Sequence, residues 1–167
     1  MRVLIWLREG LWEAAVDTAL RLAGPDAQFT LLHVTSTDVH DVMSGGMAGL
    51  LGRRHRPAPA MADIGAEAEA ALLAAARARL GRDCAEATRS GRVEREVTEA
   101  AAGADLLVVS RDGDLARLGP HSLGPATRFV VDHAPCPVVL VWPSSTPSLS
   151  SIPPPPPPGH RPPPPPH

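Results

Sequence analysis

Between Asp105 and Trp142 the chain reads strand, glycine-bearing loop, helix, strand, and no other run limits its fold so tightly. The apolar stretch Asp105-Leu-Leu-Val-Val-Ser110 breaks at Arg111-Asp-Gly113. It crosses a loop holding Gly119, Ser122 and Gly124, enters a helix at Pro125 and closes with Pro137-Val-Val-Leu-Val-Trp142. A strand that is apolar on both faces needs cover on both faces, which a parallel sheet flanked by helices provides. A glycine turn leading from such a strand into a helix presents free backbone N–H groups and a positive dipole end. That is the arrangement with which α/β folds hold phosphates.

The same alternation runs upstream. Val3 to Leu7 is a continuous apolar run, and Trp12, Ala15, Val16, Ala19, Leu20 and Ala23 follow at helical spacing. Glu13, Asp17 and Arg21 take the other side, and Gly24-Pro25 stops the helix. Phe29 to Val34 gives a second strand. The Gly-, Pro- and Arg-rich stretch from Ser44 to Ala60 then reads as a long mobile excursion. Asp63 is placed to cap a helix from about Ile64 to Leu80, which Gly81 ends. Cys84 to Ser90 reads as a strand from its position and alternation. Gly91 leads into a helix carrying Val93, Val97, Ala100 and Ala101, and Gly103 breaks it before the strand Leu106 to Val109. The order predicts one α/β, doubly wound domain over residues 1–143, a five-stranded parallel sheet with helices on both faces. Its loops Arg8 to Leu11 and Ser110 to Gly124 are expected to meet at the carboxyl ends of the strands, where strand order reverses.

Composition bounds the function. With 167 residues, 44% hydrophobic and 20% charged, the chain has material for one core. A net charge of -2 and a pI near 6.4 give no basic face for nucleic acid. All sixteen basic residues are Arg, and Lys, Asn and Tyr are absent. We read this as the bias of a GC-rich genome, which weakens any functional reading of a single arginine. Cys84 and Cys136 form no CxxC pair and read as small buried hydrophobes of a reducing cytosol. The Met1–Leu7 run meets Arg8-Glu9 too soon for a signal peptide, and no stretch approaches a membrane span, so the expectation is a cytoplasmic protein. Residues 144–167, Ser-rich and then carrying proline runs at 153–158 and 162–166, are expected to be a disordered polyproline tail. Arg161 before five prolines has the form of a ligand for aromatic grooves, but the preferred reading is a low-complexity extension with no dedicated receptor.

Three segments carry a resemblance: Ala104-Asp-Leu-Leu-Val-Val-Ser-Arg-Asp-Gly113, Ser122-Leu-Gly124, and His133-Ala-Pro-Cys-Pro-Val-Val-Leu-Val141. With them the chain, from Val3 to Trp142, resembles the universal stress proteins. The resemblance implies a five-stranded parallel domain of the adenine nucleotide alpha hydrolase type. It also implies a homodimer formed through the last strand, Val138, Val139, Leu140 and Val141, and a site that holds ATP in some members and not in others. ATP-binding members resemble the pattern Gly-x-x-Gly, nine residues, then Gly followed by Ser or Thr, with an Asp just after the first strand. The candidate cradle here is Arg8, Ser110, Gly113, Ser122, Gly124, Pro125 and Thr127. Ser110 stands at the first glycine, the spacer is one residue longer, Pro125 follows Gly124, and Arg8 replaces the Asp. Pro125 removes a hydroxyl and an N–H from the first helical turn, Ser110 adds a Cβ, and Arg8 cannot accept bonds from ribose hydroxyls. Arg8, Arg111 and Arg117 still supply positive potential, and Ser122 and Thr127 supply hydroxyls.

Other chemistry is thin. Asp112 and Asp114 flank Gly113 as ligands for Mg²⁺ or as turn formers. His33, His40 and Asp41 lack tight metal-ligand spacing, and so do His160 and His167. His121 and Ser122 are adjacent, but no orienting group or oxyanion hole is identifiable. The reading is a non-enzymatic regulatory or stress-response dimer without a cofactor, bound to no nucleic acid and no membrane, with its protein partner unspecified. The alternative is an ATP-binding switch of the same family with at most slow hydrolysis.

Overall fold

The first strand, β1 (Arg2–Trp6), shows why the sheet has two covered faces. Val3 and Ile5, with Leu7 just beyond the strand, point into one core, and Leu4 and Trp6 into the other, all of them buried. The computed structural model describes residues 1–37, 59–152 and 154, with only the backbone of 59–63. After β1 come α1 (Glu13–Leu22), β2 (Gln28–Ser36), α2 (Pro59–Leu80), β3 (Cys84–Gly91) and α3 (Val93–Ala101). Then follow β4 (Leu106–Ser110), α4 (Pro125–His133) and β5 (Val138–Val141). The five strands are parallel in the order β3-β2-β1-β4-β5. Val3 of β1 lies between Phe29 of β2 and Leu106 of β4, so strand order reverses between β1 and β4.

Helices α1 and α2 cover one face, burying Ala15, Val16, Ala19, Leu73, Ala76 and Leu80 against Ile5, Leu31 and Val108. Helices α3 and α4 cover the other, with Val97, Ala101 and Val130 against Trp6, Leu32 and Val109. The expected doubly wound α/β sheet is therefore present in full. Among the described residues no helix is long and apolar enough to cross a membrane.

One boundary differs from expectation. Helix α2 begins at Pro59, so Asp63 lies inside it rather than at its cap, and Pro59 and Ala60 belong to the helix rather than to the excursion. Proline fits a first turn because that N–H would be unpaired anyway, and the alanine-rich run behind it has the highest helix propensity. The rest of the excursion before Pro59, with His40 and Asp41, lies outside the described residues, as do His160, Arg161, His167 and the proline runs apart from Pro154. Before those runs, Leu149–Ser151 makes one 3-10 turn.

Candidate functional site

Because β1 and β4 are hydrogen-bonded neighbours, the loops leaving their carboxyl ends emerge side by side. Ser110, 2% exposed at the end of β4, donates its hydroxyl to the Leu11 carbonyl at 2.5 Å. The loops expected to meet are thus tied directly together. Ser110 spends its hydroxyl on that tie.

Arg8 follows β1 and turns over the Trp6 ring, its guanidinium carbon 5.0 Å from the ring centroid. It donates to the Asp112 carboxylate and, at 3.2 Å, to Thr127 Oγ1. Asp112 is the deeper partner, its side chain 5% exposed against 33% for Arg8. Its Oδ1 also accepts the Gly124 N–H at 2.8 Å. Gly124 is the cap of α4, Pro125 is the first residue of that helix without an N–H of its own, and Thr127 is fully buried in its first turn. A carboxylate at a helix N-terminus sits in the favourable end of the dipole. The N-terminus of α4 at the switch point therefore holds the chain's own Asp112, paired with Arg8.

The loop between β4 and α4 closes on itself. Gly113 N–H donates to Ser122 O at 3.0 Å and Asp114 N–H to His121 O at 2.8 Å. A Cβ on Gly113 would lie 2.2 Å from the His121 carbonyl oxygen, and one on Gly124 would lie 2.7 Å from the Asp112 carboxylate. Backbone contacts inside the loop thus demand glycine at 113, whereas at 124 a side chain would have to displace the Asp112 carboxylate. Ser122, fully buried, accepts from Arg111 and donates to Gly119 O at 2.7 Å. Arg111 lies over the Trp142 ring, 4.7 Å from its centroid. Asp114 accepts from Ala116 N–H at 3.0 Å, a turn of its own, with Arg117 3.7 Å away.

Arg8, Gly124 and Thr127 are therefore drawn into one cluster around Asp112, with Pro125 beside it, while Ser110, Gly113 and Ser122 form its scaffold. Sequence reasoning weighed Asp112 only as a metal ligand or a turn former. The signal was Arg8: an arginine where the motif has an acid, at the end of a buried strand, needs a carboxylate from elsewhere. Away from this site, His33 Nδ1 lies 2.9 Å from Glu69 Oε2, which Thr35 also reaches at 3.2 Å. Among the described residues no cluster of three or more His, Cys, Asp or Glu is arranged to hold a metal ion. Cys84 and Cys136 are free and half-buried, and burial pushes both thiols up from their ordinary value. At the sheet edge, Val138, Val139 and Leu140 of β5 are half-buried and Val141 is 9% exposed.

A five-stranded parallel sheet with helices on both faces, and a glycine loop and a helix N-terminus at its switch point, defines the class, a doubly wound α/β domain. The model of the universal stress protein family matches residues 11–141, and the chain belongs to that family. Solved structures share the fold. A hypothetical protein, MJ0577, superposes with a TM-score of 0.63 at 17% identity, over 87% of this chain and 97% of that one. The universal stress protein UspA from Lactobacillus plantarum gives 0.58 at 22% identity, over 84% and 97%. A universal stress protein in complex with cAMP gives 0.56 at 20% identity, over 86% and 98%. No curated protein matches the chain.

Proposed function

We propose that this universal stress protein is a non-enzymatic regulatory or stress-response dimer whose nucleotide cradle is filled by its own side chains. The observation that carries the reading is Asp112, seated on the Gly124 N–H at 2.8 Å and paired with Arg8. A phosphate entering there would have to displace a carboxylate already bonded to a backbone donor and a guanidinium. The helix offers no N–H at Pro125 in exchange. Dimerisation through β5 is supported by its place at the edge of the sheet, where a short apolar strand carries Val138, Val139 and Leu140 without full cover.

Calorimetry with Mg-ATP tests the cradle. The expected result is no binding at millimolar nucleotide, and partial recovery in a triple variant, Arg8→Asp, Asp112→Gly and Pro125→Ser, that removes the internal carboxylate along with its arginine. Saturable micromolar binding by the unaltered protein would overturn the reading in favour of an ATP-binding switch. That second reading draws on the cAMP held by a protein of the same fold and on the positive potential of Arg8 and Arg111. Val139→Arg is expected to give a monomer in sedimentation, and an unaltered chain that sediments as a monomer at tens of micromolar would remove the dimer.

A further inference from the structure

We propose that residues 142–151 form a strap that holds the β4–α4 loop shut, fixed at one end by Trp142 and at the other by Ser151. The chain leaves β5 at Trp142, whose ring lies under the Arg111 guanidinium. Nine residues later Ser151 Oγ accepts the Leu118 N–H at 3.0 Å, at the tip of the loop. The contacts return to their starting point. Leu118 adjoins Gly119, whose carbonyl takes both the N–H (3.1 Å) and the hydroxyl (2.7 Å) of Ser122. The Ser122 hydroxyl in turn accepts from Arg111, which stacks on Trp142. A segment of this length with both ends held is a compact surface loop rather than the start of a free tail.

The turn at Leu149–Ser151 supplies its own order. Ser151 Oγ donates to Ser148 O at 2.6 Å and Ser151 N–H to the same oxygen at 2.9 Å, while Ser148 Oγ accepts from Ser150 N–H at 3.3 Å. Leu149 and Ile152 are 78% and 54% exposed, so apolar burial does not fasten this end. A polar contact to a backbone N–H fastens it instead. Such a contact is worth little net free energy in water, which makes Ser151 the end that releases first. Opening the loop then requires letting go of the strap, independently of whether any nucleotide binds.

Hydrogen exchange on the full chain tests this. Ser151→Ala is expected to speed exchange of the Leu118 amide about fivefold, the loss of one ordinary hydrogen bond, with β4 amides unchanged. Ser151→Thr, which keeps the hydroxyl, should restore the original rate. Trypsin should cut after Arg117, whose side chain is 75% exposed, faster in the alanine variant than in the other two. Equal Leu118 exchange in the unaltered and Ser151→Ala proteins would overturn the strap. A rise shared equally by β4 amides would overturn it too, since that would be general loosening.

Discussion

Strands β1 and β4 are joined by an Arg–Asp pair at each end, and the two pairs differ in almost everything but their chemistry. At the amino ends, Arg2 donates its backbone N–H (2.7 Å) and its guanidinium (3.2 Å) to Asp105, with side chains 61% and 46% exposed. At the carboxyl ends, Arg8 meets Asp112 with 33% and 5% exposed. Water solvates both groups of the first pair whether or not they touch, so the pair adds little. In the second, Asp112 has given up its water and depends on Arg8, the Gly124 N–H and its helix. The same two residue types thus trim an edge at one end of the sheet and occupy the site at the other.

The largest expected effect comes from breaking the buried pair. Arg8→Met keeps the apolar stem over Trp6 and strands the Asp112 charge, and urea unfolding should show a loss of about 3 to 5 kcal/mol. A loss under about 1 kcal/mol would class the pair with surface pairs and dissolve the contrast. Gly124→Ala tests the same carboxylate from its other side. The added Cβ, 2.7 Å from Asp112, should cost about 1 to 3 kcal/mol as the cap shifts, the usual range for overpacking. It should cost much less in an Asp112→Ala background.

The smallest effect belongs to Arg2. Its backbone N–H, and after it its guanidinium, hold the Asp105 carboxyl below the ordinary value of 3.8. Because the folded value is the lower one, the unfolded chain binds the proton more readily. The stabilisation is present in full above the ordinary value and is lost as pH falls through the folded one. Asp17, held low by its hydrogen bond from Arg79, behaves alike. Urea midpoints of Arg2→Met should track the unaltered protein closely from pH 5 to 7 and converge with it on descending below about pH 4. A large gap at pH 7 would mean that exposure does not separate the two pairs.

The fold was legible because its signal is long. Leu106 to Val109 and Val3 to Leu7 are apolar without a break, and only a sheet covered on both faces accommodates such runs. The start of α2 was less so, since Asp63 offers a local cap while Pro59 can begin a helix without one. At the site, the sequence showed each departure in turn: Arg8, Ser110 and Pro125. It did not show that Asp112 compensates them, because Arg8 and Asp112 are separated by 104 residues and meet only when β1 and β4 pair. Gly113 and Gly124 stand in the candidate cradle, and the atoms nearest to them belong to His121 and Asp112, contacts that no local pattern announces. Local patterns report elements, and a pair across the sheet is not a local pattern.

The place of β1 in the sheet also sets the order in which the molecule can be assembled. Of the five strands of this sheet it comes first in sequence and ends up as the middle one, with β2 following soon after it and β4 only much later. Throughout the synthesis of the intervening segment, one edge of Val3 to Leu7 has no partner in its own chain, and an unpaired apolar edge is where nascent chains stick to each other. The Arg8–Asp112 pair cannot form until the chain has been made through residue 112. Variants of Arg8 or Asp112 would therefore leave early pairing of β1 with β2 intact and show themselves mainly as faster unfolding.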